Sequence, residues 1–286
     1  MPGWEEVGDR VFVRRYEFFD QNIGVVLGDQ GVLLVDTRTT LRHAAEVRDD
    51  LRELTNRPVS VVVDTHGHSD HAFGNSCFRP APIWGHVRCA TMLRENGERQ
   101  REGLIATIPD LEADLREVVI DPPDQTFMDR ASVELEPGGR AVELRYLGRG
   151  HTDNDICILV PDAKVTFAGD LLENGATPYF GDGFPLDWPT TVERLVALIE
   201  GPVVPGHGDV GDQAFAVRQL TEFREVAELA RLVHSGVLDV GDAVVRTPYK
   251  ADDAQEPLDR ALAQLRGELV GFEPPDPPDP PWERPA

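Results

Sequence analysis

The chain has 286 residues, 41% of them apolar, and a formal net charge of −23. That length supports one large domain or two small ones with a sizeable core, and the acidic balance argues against a nucleic-acid partner, which needs clustered Lys and Arg. Nothing approaches the roughly 18 consecutive apolar residues of a membrane span, and Met1 to Glu6 lacks the basic and apolar regions of a secretory signal, so no membrane partner and a cytoplasmic location are expected.

Val11-Phe12-Val13, Ile23 to Leu27 and Val32 to Val35 read as strands, with Gly28-Asp29-Gln30-Gly31 as a hairpin turn. Thr39 or Thr40 caps a helix with apolar positions Leu41, Ala44, Leu51 and Leu54. Val59 to Val63 is a buried strand, and Asp64-Thr65-His66-Gly67-His68-Ser69-Asp70-His71 follows it as a loop. A short strand over residues 83–86 leads into a polar helix over 87–101, and residues 102–117 read as a helical lid or insertion. Strands are expected over 118–120, 132–135 and 141–147, punctuated by Pro122-Pro123, Pro137 and Gly138-Gly139. Strands 156–160 and 165–168 come next, the second closed by Gly169-Asp170, and then a Pro- and Gly-rich loop from Asn174 to Pro189. Val192, Leu195, Val196 and Ile199 form a helical stripe. Val203-Val204 leads into Pro205-Gly206-His207-Gly208. Asp212 caps a long helix that Gly236 stops, and a last helix carries Leu258, Leu262, Leu265 and Leu269. Residues 8–235 read as one domain, 236–273 as a helical extension, and 274–286 as a disordered Pro/acidic tail.

Imidazole nitrogens and carboxylates are ligands for zinc or a similar metal. His66 and His68 are two apart, so on an extended segment they share a face, while Asp70 and His71 need a turn; that suits one ion on the first pair and a second ion on the next. His151, Asp170 and His207 each follow a glycine at a strand end, where a tight backbone can turn a side chain toward a site. His43 and His234 lie on helices and read as solvated, and His86 follows a strand near the site. The three cysteines, Cys77, Cys89 and Cys157, are an odd, sparse set with no CxxC pattern and argue against a disulfide framework. Cys77 lies near the cluster and reads as a small buried side chain rather than a ligand.

At these residues the chain resembles the metallo-β-lactamase superfamily: His66-Gly67-His68-Ser69-Asp70-His71 matches HxHxDH, and Gly150-His151-Thr152, Gly169-Asp170 and Pro205-Gly206-His207-Gly208 match the later motifs in order. The resemblance implies an α/β fold, an αββα sandwich of two mixed β-sheets flanked by helices. By carry-over, His66, His68 and His151 would hold a first ion, Asp70, His71 and His207 a second, with Asp170 bridging. The best-known class B β-lactamases carry cysteine where Asp170 stands. A bridging Asp is similar to glyoxalase-type thioesterases and lactonases, and His68 argues against flavo-diiron proteins.

The implied function is a dinuclear zinc hydrolase, with iron or manganese as other candidate metals, acting on a small ester, thioester, lactone or β-lactam. A metal-bridging hydroxide would attack the carbonyl, with Asp70 orienting it and taking its proton. The alternatives are a mononuclear iron oxidoreductase of the persulfide dioxygenase kind and a non-catalytic metal-binding protein. Thr152 and Asp155 are candidate supports for the ligands; Asp36 and Asp64 either do likewise or cap loops. The loop from Asn174 to Trp188, with Tyr179, Phe180, Phe184 and Trp188, either walls the substrate pocket or packs on its own core.

Overall fold

The computed structural model describes residues 3–136, 139–250 and 252–269; the expected tail and part of the 137–139 turn lie outside them. One half of the chain contributes β1 (Glu5–Gly8), β2 (Val11–Tyr16), β3 (Gln21–Leu27), β4 (Val32–Val35), β5 (Val59–Val63), β6 (Ile83–His86) and β7 (Gln125–Phe127). The other contributes β8 (Arg130–Glu134), β9 (Ala141–Tyr146), β10 (Ile156–Val160), β11 (Val165–Asn174) and β12 (Val203–Gly208). The first half runs β1-β2-β3-β4-β5-β6-β7 and the second β12-β11-β10-β9-β8; β3 and β12 join them through the pair Gln21 and His207. β4 to β7 pair in parallel, as do β11 and β12, and the hairpins are antiparallel, so both sheets are mixed.

Strand alternation sends successive side chains to opposite faces. Val26, Leu33 and Val63 of the first sheet meet Val142, Ile158, Phe167 and Val204 of the second in one buried core. Ile23, Val25, Leu34 and Val62 point the other way and pack under α1 (Leu41–Leu54), which Thr40 caps by accepting from the His43 N–H. On the far side, α5 (Trp188–Val196) and α6 (Gln213–His234), the latter capped by Asp212, cover the outer face of β11. Full burial of each large aliphatic chain contributes about 1.5–3 kcal/mol, so both faces of each sheet must be covered. The result is the expected αββα sandwich.

The extension adds α7 (Val240–Arg246) and α8 (Gln255–Leu265), whose Leu258, Ala261 and Leu262 share one core with α5 and α6. The polar helix α3 runs Val87–Thr107, longer than expected, and α4 (Glu112–Glu117) follows; residues 102–117 are therefore helical wall, with Leu111 and Leu115 buried beneath. Residues 118–120 are not a strand. Pro122-Pro123 remove two backbone donors from that edge, and only Gln125–Phe127 pairs with β6.

Two strand ends differ from their expected form. β11 continues past Ala168 to Asn174, so Asp170 lies inside it, and β12 includes His207. The β11–β12 register shifts around Gly169, whose φ of +51° suits a residue without a Cβ. That irregularity turns Asp170 out of the ladder. Gly206 on the neighbouring strand makes room, since a Cβ there would lie 1.8 Å from Asp170 Oδ1.

Candidate metal centre

Every sequence-predicted ligand meets at one edge of the sandwich. His66 and His68 come from the loop after β5, and Asp70 and His71 from the single helical turn Ser69–Ala72, here α2. His151 precedes β10, while Asp170 and His207 project from β11 and β12. His66 Nε2 lies 3.0 Å from His68 Nδ1, and His151 Nε2 lies 2.8 Å from the same atom. His71 Nε2 and His207 Nε2 are 3.2 Å apart, and Asp70 Oδ2 is 3.3 Å and 3.4 Å from them. Asp170 lies between the groups: Oδ2 is 3.8 Å from His66 Nε2, 3.4 Å from His151 Nε2 and 3.2 Å from His207 Nε2, and Oδ1 is 3.4 Å from His71 Nε2.

Each imidazole has its outward nitrogen engaged by oxygen. His71 Nδ1 lies 2.8 Å from Asp36 Oδ2, His207 Nδ1 2.7 Å from the Phe19 carbonyl, and His151 Nδ1 3.1 Å from the Tyr179 carbonyl. His68 Nε2 lies 3.0 Å from Asp182 Oδ2. Thr65 donates its hydroxyl to Asp36 Oδ2, which leaves its oxygen to accept from His66 Nδ1 at 3.1 Å. These partners fix the outward nitrogen as the N–H and turn a lone pair inward on all five rings. Lone pairs facing one another at 2.8–3.2 Å repel unless a cation or proton lies between them. Asp170 Oδ1 is also buried with no hydrogen-bond partner. Inward nitrogens and an orphaned carboxylate oxygen are the donor set of a zinc-type site. His66, His68 and His151 form one candidate trio and Asp70, His71 and His207 another.

The electrostatics agree. Burial opposes charge on His71 and His207, but Asp170 and Asp70 hold both well above the ordinary imidazole range. Burial pushes His66 down, and His151 to about 4. Burial likewise opposes charge on His68, which Asp182 nevertheless raises to about 9. The cluster draws positive charge, and metal binding would displace its protons.

The supporting residues sort themselves. Asp36 takes the Thr65 N–H, the Thr65 hydroxyl and His71, so it holds the ligand His71 directly and His66 through Thr65. Asp64 binds Asn75 and does not reach the cluster; burial pushes its carboxyl up. Asp155 accepts both the N–H and the hydroxyl of Thr152 at 2.7 Å, bracing the turn behind His151, and burial raises it to about 7. Asn174 ends β11 and binds the Asp209 carbonyl.

A cavity of about 830 Å³ opens onto the cluster between α3 and the 174–188 loop. Tyr179 and Phe184 line it, but Phe180 and Trp188 do not. Both are fully buried: Trp188 stacks on Phe223 at 4.5 Å and donates Nε1 to the Leu171 carbonyl, flooring the site 5.8 Å from the His151 ring. The apolar spacing of Trp188 and Val192 on one helix face was the signal for core rather than pocket.

His43 also departs from its expected exposure. α1 carries it inward against Phe18 at 4.8 Å, and burial lowers it to about 4. His86 is buried away from the ligands, accepting from the Arg88 N–H and meeting the Met128 carbonyl at 2.9 Å. His234 is exposed as expected, and Cys77 sits under α1 with Sγ toward the Leu41 carbonyl. Sequence reasoning missed Asp182 and Glu173. Glu173 is buried, lines the cavity and accepts from the Tyr179 N–H at 3.0 Å; burial, then Asp170, raises it to about 8.

The model of the metallo-beta-lactamase superfamily matches residues 16–207, which include every one of these ligands. The chain belongs to the metallo-β-lactamase superfamily. It is similar to a metallo-beta-lactamase type 2 of Bacillus cereus, at 25% identity over 205 residues, covering 69% of this chain and 71% of that protein. It is also similar to a human acyl-coenzyme A thioesterase, at 24% identity over 228 residues, 71% of this chain and 80% of that one. Among solved structures, a metallo-beta-lactamase from Pontibacter korlensis shares the fold with a TM-score of 0.62 at 22% identity, covering 77% of this chain and 98% of that one. Within the superfamily this chain is a metal-dependent hydrolase. Among the described residues no helix is long and apolar enough to cross a membrane.

Proposed function

We propose that the chain is a dinuclear zinc hydrolase that cleaves an ester, thioester, lactone or β-lactam of small-molecule size. The observation that carries this reading is the inward-facing set of five imidazoles around Asp170, each with its outward nitrogen engaged. His66, His68 and His151 would hold one ion, Asp70, His71 and His207 the other, and Asp170 would touch both. Zinc bound there would lower the pKa of water toward about 7 and polarise a carbonyl oxygen. A mononuclear iron centre on the first trio would leave Asp70, His71 and His207 without an ion, which disfavours the oxidoreductase reading. A closed, purely structural site is disfavoured by the cavity, of a size suited to a small-molecule ligand.

The protein's own groups then divide the work. Asp70 has a side chain 19% exposed and lines the cavity, so the carboxylate oxygen not turned to His71 and His207 can orient an attacking water, accept its proton and return it to the leaving group. Asp36 fixes the ring of His71, and Asp182 that of His68, from opposite sides of the site. Thr152 and Asp155 keep the His151 turn in place. The 174–188 loop and α3 bound the space the acyl group occupies.

The test is a panel of lactone, thioester, aryl ester and β-lactam substrates with zinc-loaded protein. At least one class is turned over, and Asp170→Ala loses about a thousandfold or more, the scale set by removing a charge-stabilising group. No turnover of any class, or unchanged turnover in Asp170→Ala, contradicts the reading.

A further inference from the structure

The cavity wall opposite α3 includes a residue from beyond the matched region. Arg260 lies on α8, in the extension, and lines the cavity. Its Nε donates to the Gly183 carbonyl at 2.8 Å, which anchors the guanidinium by one edge. No hydrogen bond or ion pair to the described residues occupies Nη1 or Nη2. The acidic groups whose charge acts on it are Asp182, Tyr179 and Glu256. Asp182 meets His68 through Oδ2 and leaves Oδ1 without a hydrogen-bond partner, Glu256 is exposed on the same helix, and neither carboxylate comes within 4.0 Å of the guanidinium. The cation is half-buried, and burial lowers it from the ordinary arginine range.

The surroundings make this a held position. Thr177 bonds Asp253, the Leu186 N–H donates to Gln264 Oε1, and Gln264 Nε2 donates to Asp187 Oδ2. The extension therefore grips the 174–188 loop at both ends, with Arg260 between. The same loop reaches the ligands: the Phe184 N–H donates to the Gly150 carbonyl, Tyr179 takes His151 and Asp182 takes His68. In a chain of net charge −23, an unpaired, half-buried guanidinium beside the reaction site needs a reason. A free Nη pair presents two parallel N–H donors, the geometry that matches a carboxylate.

We propose that Arg260 is the recognition residue for a carboxylate on the substrate, so that the substrate is an acyl compound carrying a second, anionic end. This rests on the hydrolase reading and names its substrate class. The acyl carbon would lie at the ligand cluster while the carboxylate takes Nη1 and Nη2 of Arg260. The remaining bulk would lie along α3, where Met92, Leu104 and Ile108 give the cavity an apolar side.

The test uses full-length, zinc-loaded protein and two para-nitrophenyl esters of equal chain length, one ending in methyl and one in carboxylate. Glutarate binding is followed by calorimetry alongside. The native protein favours the carboxylated ester in kcat/KM by about 10- to 100-fold, the scale of a hydrogen-bonded charge pair. Arg260→Met removes that preference and weakens glutarate about tenfold or more, while Arg260→Lys, which keeps the charge, retains part of both. Arg99 also lines the cavity, is exposed and has no ion pair among the described residues. Arg99→Met changes the preference by less than about threefold, because an exposed charge acts through a screened field. An unchanged preference in Arg260→Met, or an equal loss in Arg99→Met, overturns the proposal. Arg260-dependent glutarate binding without turnover of either ester keeps the carboxylate site and overturns the reaction class. Turnover of both esters without preference does the reverse.

Discussion

The two walls of the cavity are built differently. The ligand wall consists of strand ends and the turns that leave them: His66 and His68 after β5, Asp170 on β11, His207 on β12. His66, His71, His151 and Asp170 are buried, His68, Asp70 and His207 are partly so, and each ring is bonded on its far side. The recognition wall consists of α3, the 174–188 loop and α8, with exposed or half-buried polar residues such as Tyr179, Arg99 and Arg260. The chemistry is thus fixed by the sheets, which cannot shift without breaking a close-packed core. Recognition is left to segments that can vary without disturbing the ligands. Asp182 joins the walls, because it belongs to the loop and holds His68.

The effect on the metal that would sharpen this contrast most comes from Asp36, which does not line the cavity. Asn is nearly the same size and tolerates its φ of +63°. Its amide cannot accept from both His71 and Thr65 while also taking the Thr65 N–H. Asp36→Asn therefore weakens zinc by about 10- to 100-fold, as loss of a supporting partner does. Chelator competition measures it, and affinity equal to native would break the claim that the far-side bonds hold the ligand wall.

A second effect, read on stability rather than on metal affinity, separates buried histidines that serve the site from those that do not. His86 is buried against Tyr146, with ring centroids 4.2 Å apart, and burial lowers it to about 4. Its folded pKa lies below its unfolded value of about 6.5. Between about pH 6.5 and 4 the unfolded chain binds a proton that the folded one refuses, so this contribution is lost as pH falls. The whole window is on the order of 3 kcal/mol. Denaturant unfolding should show a shallower acid decline in His86→Phe than in the native protein. An identical slope would mean that His86 titrates normally in the fold.

The ligand wall was legible in the sequence because its ligands are local: four of them sit within His66 to His71, and the others each follow a glycine. The strands around them were legible from apolar runs, and the Thr40 and Asp212 caps from position. The recognition wall was not. Asp182 and Arg260 are ordinary charged residues until the fold brings one to His68 and frees the other's Nη pair. Two of the far-side partners, Phe19 and Tyr179, act through main-chain carbonyls, which no residue type announces. His43 misled and Trp188 stayed open because exposure and pocket-lining depend on which way α1 and α5 face, and that is settled by tertiary packing. Asp170 was found at its correct position but in the wrong context, since the register shift around Gly169 has no periodic signature.

The most direct test of the account is zinc stoichiometry. Metal-free protein titrated with zinc, with bound metal counted after gel filtration, should take two ions per chain, and hydrolysis should return with the metal. In Asp170→Ala, which removes the carboxylate shared between the trios, both ions should bind more weakly. A native protein that saturates at one ion, or hydrolyses fully with none, would contradict the two-ion site.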